Sequence, residues 1–172
     1  MESRQPLIVE IVDNKVWGGG ETYARDLCTA LCSKGFDLLI ATRGVKAVDD
    51  GLRSSGAPIL NLPLGGVFDF SSPRRLSIGI ARMAEPGRAV TLHLNNFKQL
   101  PLARRVRRRL AGRNDVRVVV TRHLARKAKT GRRYRRLYKA ADAIGFVSAT
   151  ARDEFLKSVS PGCRIASILR ER

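Results

Sequence analysis

Acidic side chains are scarce in this sequence: 15 Asp and Glu stand against 33 Lys and Arg, leaving a net charge of +18 over 172 residues. That imbalance excludes exposed helices laced throughout with acid-base pairs, and it calls for an anionic partner. Histidine and cysteine are thinner still, at two and three residues. Four nitrogen or sulfur ligands cannot be assembled from the visible spacings, so no metal site is expected. Cys28 and Cys32, one helical turn apart, read as reduced core thiols. Aromatics make up 6% of the chain, which leaves little for a base-stacking surface. Long apolar runs are also missing. A run such as Leu7 to Val12 is strand-sized, far short of the roughly 20 residues of a membrane span. The opening, Met1 to Pro6, leads into an apolar stretch too short for a secretory signal, so a cytoplasmic location is expected.

What is present is 44% hydrophobic, enough for one domain spanning residues 1–172 with its own core. Leu7 to Val12, broken by Glu10 alone, predicts a buried parallel strand. Gly18-Gly19-Gly20 then precedes a helix on which Tyr23, Ala24, Leu27, Cys28 and Leu31 share a face, stopped at Lys34-Gly35. Strands follow at Phe36 to Thr42, Pro58 to Leu62, Ala89 to Leu94, Val116 to Thr121 and Ala143 to Val147, with a last short one over Ile165 to Leu169. The helices between them are read at Ala47 to Ser54, from Ser72-Pro73 to Ala84, at Pro101 to Ala111 and at Arg132 to Ala141, and Ser148 caps one through Leu156. This alternation predicts an α/β fold, a doubly wound, mostly parallel Rossmann-like sheet with helices on both faces.

In such a sheet the ligand site lies beyond the carboxyl ends of the strands. Gly18, Gly19, Gly20 and Glu21 after the first strand form a candidate donor or phosphate loop, since bare backbone at a helix N-terminus lets amide groups approach an anion. The loop matches neither the phosphate-loop nor the dinucleotide fingerprint. His123, just past the fifth strand, is the candidate catalytic residue. Arg122, Lys127, Asn95 and Asn96 are candidate acceptor or anion contacts, and His93 is expected to pack in the core with its polar tip on a backbone group. Between Lys98 and Lys139, 17 basic residues face one acid, Asp115, so nearly all the net charge sits in a quarter of the chain. Arg104, Arg105, Arg108, Arg132, Arg133 and Arg136 carry its outward faces. Nucleic acid and an anionic membrane surface both suit such a footprint, and composition does not choose between them.

The order Ile8-Val9-Glu10-Ile11-Val12, Gly18-Gly19-Gly20-Glu21-Thr22-Tyr23 and Lys34-Gly35-Phe36-Asp37 resembles the opening of glycosyltransferase family 4 enzymes. A second block agrees: Val118-Val119-Val120-Thr121-Arg122-His123, then Ala141-Asp142-Ala143-Ile144 and Val147-Ser148. The resemblance implies a GT-B enzyme, with two Rossmann-like domains facing a cleft, a nucleotide-sugar donor, a retaining outcome and no catalytic metal or other cofactor. It places Gly19 and Gly20 against the donor diphosphate and His123 against the transferred sugar. The C-terminal nucleotide-sugar domain is not carried by these residues, so the chain is expected to be the acceptor-side half, with that domain of the same enzyme as a partner. The expected acceptor is a glycan or lipid-linked glycan, and the basic surface is expected to dock peripherally at the inner face of the membrane. Two rivals are a nucleic-acid-binding Rossmann-like module and a reductase in which Arg43 contacts the 2′-phosphate of NADP.

Overall fold

The computed structural model describes residues 5–66 and 68–159. Six strands, β1 (Leu7–Val12), β2 (Leu38–Thr42), β3 (Ile59–Asn61), β4 (Val90–Leu94), β5 (Val116–Arg122) and β6 (Ala143–Phe146), form one sheet in the order β3-β2-β1-β4-β5-β6, parallel at every pairing. Six helices connect and follow them: α1 (Gly19–Ser33), α2 (Lys46–Arg53), α3 (Ser71–Met83), α4 (Leu100–Leu110), α5 (Arg132–Tyr138) and α6 (Ala149–Leu156). The predicted doubly wound sheet is thus observed. The predicted strand over Ile165 to Leu169 lies outside the described residues. None of the described helices is long and apolar enough to cross a membrane.

Alternate residues of β1 and β2 feed two separate cores, as the two-residue period of a strand requires, while β4, β5 and β6 feed one of them. Val12, Leu38 and Ile40 meet Ala24 and Cys28 of α1 and Val48 and Leu52 of α2 on one face. On the other, Leu7, Val9, Ile11, Leu92 and Val118 pack with residues of α3, α4, α5 and α6, including Ile80, Val106, Tyr138 and Phe155. Cys28 is buried as expected and Cys32 is half-buried; both are free thiols, and burial pushes the Cys28 thiol above its ordinary range.

Several local readings are corrected. Helix α1 starts at Gly19, so two of the three glycines lie in its first turn. Helix α3 is capped by Asp69, whose carboxylate accepts from the amides of Ser71 (3.0 Å) and Ser72 (2.9 Å), and Ser72 is already inside the helix. Helix α5 stops at Tyr138 because the amides of Ala140 and Ala141 bond back three residues, to Leu137 and Tyr138, and tighten the chain out of the α conformation. A 3₁₀ turn, Phe97–Gln99, precedes α4, and the Asn96 side chain caps it. Trp17, just ahead of the glycine loop, lies against Gly51 of α2, where an added Cβ would come within 2.1 Å of the indole.

Candidate functional site

Strand β1 is flanked by β2 on one side and β4 on the other, so the chain reverses its winding direction there and a crevice opens beyond the carboxyl ends of β1 and β4. The polar residues of the site converge at this point. Glu10 is fully buried in β1 and stands directly opposite His93 of β4. Its carboxylate meets His93 Nδ1 at 2.5 Å and also accepts from the Asn95 amide. On its far side, His93 Nε2 lies 2.7 Å from Thr121 Oγ1 of β5. Asn95 then reaches outward: its carbonyl oxygen lies 3.2 Å from His123 Nε2. The His123 ring packs edge-on against Tyr23 of α1, with centroids 4.9 Å apart. One chain of side chains therefore runs from the middle of the sheet to the mouth of the crevice.

The network treats its two imidazoles differently. Burial of His93 works against its charged form, but the adjacent Glu10 carboxylate, by charge and by hydrogen bond, outweighs this and raises its pKa. When both ring nitrogens are protonated, His93 can donate to Glu10 and to the Thr121 hydroxyl together. His123 shifts the opposite way: partial burial, reinforced by repulsion from His93, lowers its pKa, although Glu10 and Glu21 pull it upward. His123 is therefore a neutral imidazole near pH 7. Because Nε2 donates to Asn95, the proton is fixed on that nitrogen, and Nδ1 is left as an acceptor for a hydroxyl group.

The predicted glycine loop borders this cluster. Gly18, Gly19 and Gly20 all lack the positive φ that would demand glycine. A Cβ on Gly19 would meet nothing within 4 Å, and one on Gly20 would meet only Asn14 Nδ2 at 3.9 Å. The fold itself does not require glycine at these two positions, and the absence of side chains leaves backbone amides of the α1 N-terminus uncovered. Glu21 is buried in the first turn and bonded by the Asn14 amide, so the helix terminus already holds one carboxylate.

The other predicted contacts are placed differently. Asn96 donates to Asp13 at 2.5 Å, and Gln99 donates to the other Asp13 oxygen at 2.6 Å, which ties the turn after β4 to the end of β1. Arg122 lies over the rings of Phe97 and Phe155, at 5.6 and 5.1 Å, and donates to the carbonyls of Arg126 and Lys127, bracing the segment after β5. The Lys127 side chain is exposed. Arg104, Arg108, Arg132, Arg133 and Arg136 are exposed, whereas Arg105 is half-buried and donates to the Asp69 carbonyl at 2.9 Å. The expectation for His93 is corrected: it is buried, but its partners are Glu10 and Thr121 side chains and not a backbone group. Arg43, the residue that suited an NADP reductase, is spent on three carbonyls, those of Asp13 (2.6 Å), Pro63 (3.1 Å) and Leu64 (2.6 Å).

Sequence reasoning singled out His123 and Asn95 but passed over Glu10, Thr121 and Tyr23 as site residues. Glu10 did leave a signal, as the lone charge in an otherwise apolar strand; such a charge needs a buried partner. Thr121 and Tyr23 left none, since both suit a strand and a helix face without further explanation.

A search of solved structures finds similarity to MurG of Acinetobacter baumannii, with a TM-score of 0.55 over 83% of this chain at 13% sequence identity. At that identity the likeness is one of fold, and this chain corresponds to 41% of the length of that structure. No curated protein sequence matches significantly. Residues 18–168 match the family described as the glycosyl transferase 4-like domain. With its sheet order, its crevice and the match over most of its length, the chain belongs to the glycosyl transferase 4-like domain family and has the Rossmann-like architecture of an N-terminal GT-B domain.

Proposed function

We propose that the chain is the acceptor-side half of a glycosyltransferase that moves a hexosyl group from a nucleotide sugar to a glycan or lipid-linked acceptor, with retention and without a metal. The observation that carries this reading is the His123 imidazole at the crevice mouth, linked through the Asn95 amide to the buried Glu10. In this reading Nδ1 of His123 accepts a hydrogen bond from a hydroxyl of the transferred sugar and orients it for transfer. Glu10 and Asn95 position His123, and Thr121 completes the pairing of His93. The uncovered amides at Gly19 and Gly20 receive the donor diphosphate, with the helix dipole favouring its charge. A C-terminal domain closes the crevice from the other side and supplies the nucleotide contacts. The arginine-rich surface holds the enzyme peripherally on the inner face of the membrane, where a lipid-linked acceptor would present its glycan.

The binding half of this reading is tested on the chain itself. A panel of nucleotide sugars is added while the imidazole carbon-proton resonances of the two histidines are followed by NMR. The His123 resonance is expected to shift with at least one donor and the buried His93 resonance to move less. If no donor moves His123 at millimolar concentration, the sugar-contact role fails.

A further inference from the structure

Helices α3 and α4 lie side by side, and neither contains an acidic residue, against three arginines on α3 and five on α4. Sequence reading placed the basic face on α4 and α5 and left α3 out. A cavity of about 270 Å³ opens between α3 and α4, lined by Phe70, Pro73, Arg105, Arg108 and Arg109. Arg108 and Arg109 have no carboxylate partner among the described residues. Asp69, next to the lining residue Phe70, spends its carboxylate on the cap of α3 and on the Gly65 amide. A concave site lined by three guanidinium groups, with its local carboxylate turned to other work, is suited to a phosphate. Phe70 gives the cavity an aromatic side, and Phe68 lies two residues before it in sequence. Phe68 is 88% exposed and Phe70 65% exposed, both in the segment leading into α3. Scattered exposed apolar side chains are ordinary, but two exposed phenylalanines beside an arginine-rich helix pair combine the two signals of a membrane-binding face.

We infer that the α3–α4 face docks on a bilayer containing anionic phospholipid. A lipid phosphate sits in the cavity against Arg105, Arg108 and Arg109, and Phe68 and Phe70 enter the headgroup boundary. The inference deepens the membrane part of the proposed function and moves its centre from α4 and α5 to the α3–α4 cavity. A soluble phosphate would have no use for the aromatic rim. Stacking of nucleic acid bases is disfavoured because the Arg105 guanidinium already covers one face of Phe70, 4.6 Å from the ring centre.

The test is sedimentation of the full chain with phosphatidylcholine vesicles, with or without phosphatidylglycerol, at moderate salt. Three double variants are compared: Phe68→Ser with Phe70→Ser, Arg108→Gln with Arg109→Gln, and Arg132→Gln with Arg133→Gln on α5. All six side chains are exposed, and circular dichroism checks that each variant folds. Wild type is expected to bind only the anionic vesicles. The first two variants are expected to bind roughly tenfold more weakly, and the α5 variant to lose less. A Phe68→Trp variant is expected to show blue-shifted emission and quenching by brominated lipid beyond that of Trp17. Equal loss from both arginine pairs, with none from the phenylalanine pair, would replace the cavity by general electrostatic attraction while leaving membrane docking intact. Equal binding of wild type to neutral and anionic vesicles would overturn both. Displacement by millimolar glycerophosphate, or tighter binding to duplex DNA at the same salt, would overturn the bilayer as the occupant. The role of His123 in sugar transfer is read separately, by its NMR response to donors.

Discussion

Because His93 is paired with the Glu10 carboxylate while His123, partly buried, bonds to the Asn95 amide and packs on the edge of Tyr23, the two histidines shift in opposite directions. The raised pKa of His93 means that its pairing stabilises the fold fully below the unfolded value of about 6.5 and fades as pH rises through the folded value. His123 behaves in reverse: its neutral form is favoured by the fold, and that contribution is lost as pH falls from about 6.5 through its lowered value. With two histidines in the chain, His93→Gln leaves a single imidazole resonance to follow. Removing the neighbouring positive charge is expected to move the His123 titration midpoint upward. An unchanged or lower midpoint would show that the two rings are not coupled. Gly19 offers a second test at this scale. Its φ is not positive and a Cβ there meets nothing, so Gly19→Ala should leave stability unchanged or raise it by up to about 1 kcal/mol. Loss of donor affinity in that variant, measured by titration of the nucleotide sugar, is expected if the diphosphate approaches this backbone. Unchanged affinity would remove the loop from the site.

At the scale of elements, two contacts hold the site's surroundings in place. The Asp69 carboxylate is partly desolvated, which alone would raise its pKa, but bonds from the Ser72 hydroxyl and from the amides of Ser72 and Gly65 hold it well below the usual carboxylate range. Asp69→Ala should cost about 1 kcal/mol, as for other helix N-caps. The difference from wild type in urea denaturation should narrow as pH falls below about 3.9, when the carboxylate starts to lose its advantage over the unfolded chain. Gly51→Ala should be costlier, roughly 1–3 kcal/mol, because its Cβ would strike the Trp17 ring. Trp17 is the sole tryptophan, so its emission reports the same displacement. The elements themselves were legible because apolar runs, turn residues and helix faces alternate along the chain, and predicted boundaries fall within a few residues of the observed ones. The exceptions have local causes. Asp69, not Ser72, caps α3 because a carboxylate two residues before the helix can reach both of the first amides, and no spacing rule separates it from the serines beside it. The candidate site was half legible. His123 and Asn95 are visible as polar residues at strand ends, whereas Thr121 and Tyr23 acquire meaning only when β5 and α1 are brought beside β4. Glu10 was visible as a charge, but its partners His93 and Asn95 lie more than 80 residues away.

At the scale of the whole molecule, the sheet order β3-β2-β1-β4-β5-β6 sets both the crevice and the charge distribution. Placing β4 beside β1 brings Glu10, His93 and Asn95 together at the switch point, and the helices that follow β3 and β4 carry the arginines onto the opposite face of the sheet from α1 and α2. The crevice and the basic surface are thus separate features of one domain. The central claim is that His123, oriented from Glu10 through Asn95, contacts the transferred sugar. The direct measurement is the turnover of a nucleotide-sugar donor by the full-length enzyme carrying His123→Ala. If His123 contacts the transferred sugar, kcat falls by about 100-fold or more with folding intact; turnover within about twofold of wild type would contradict that contact.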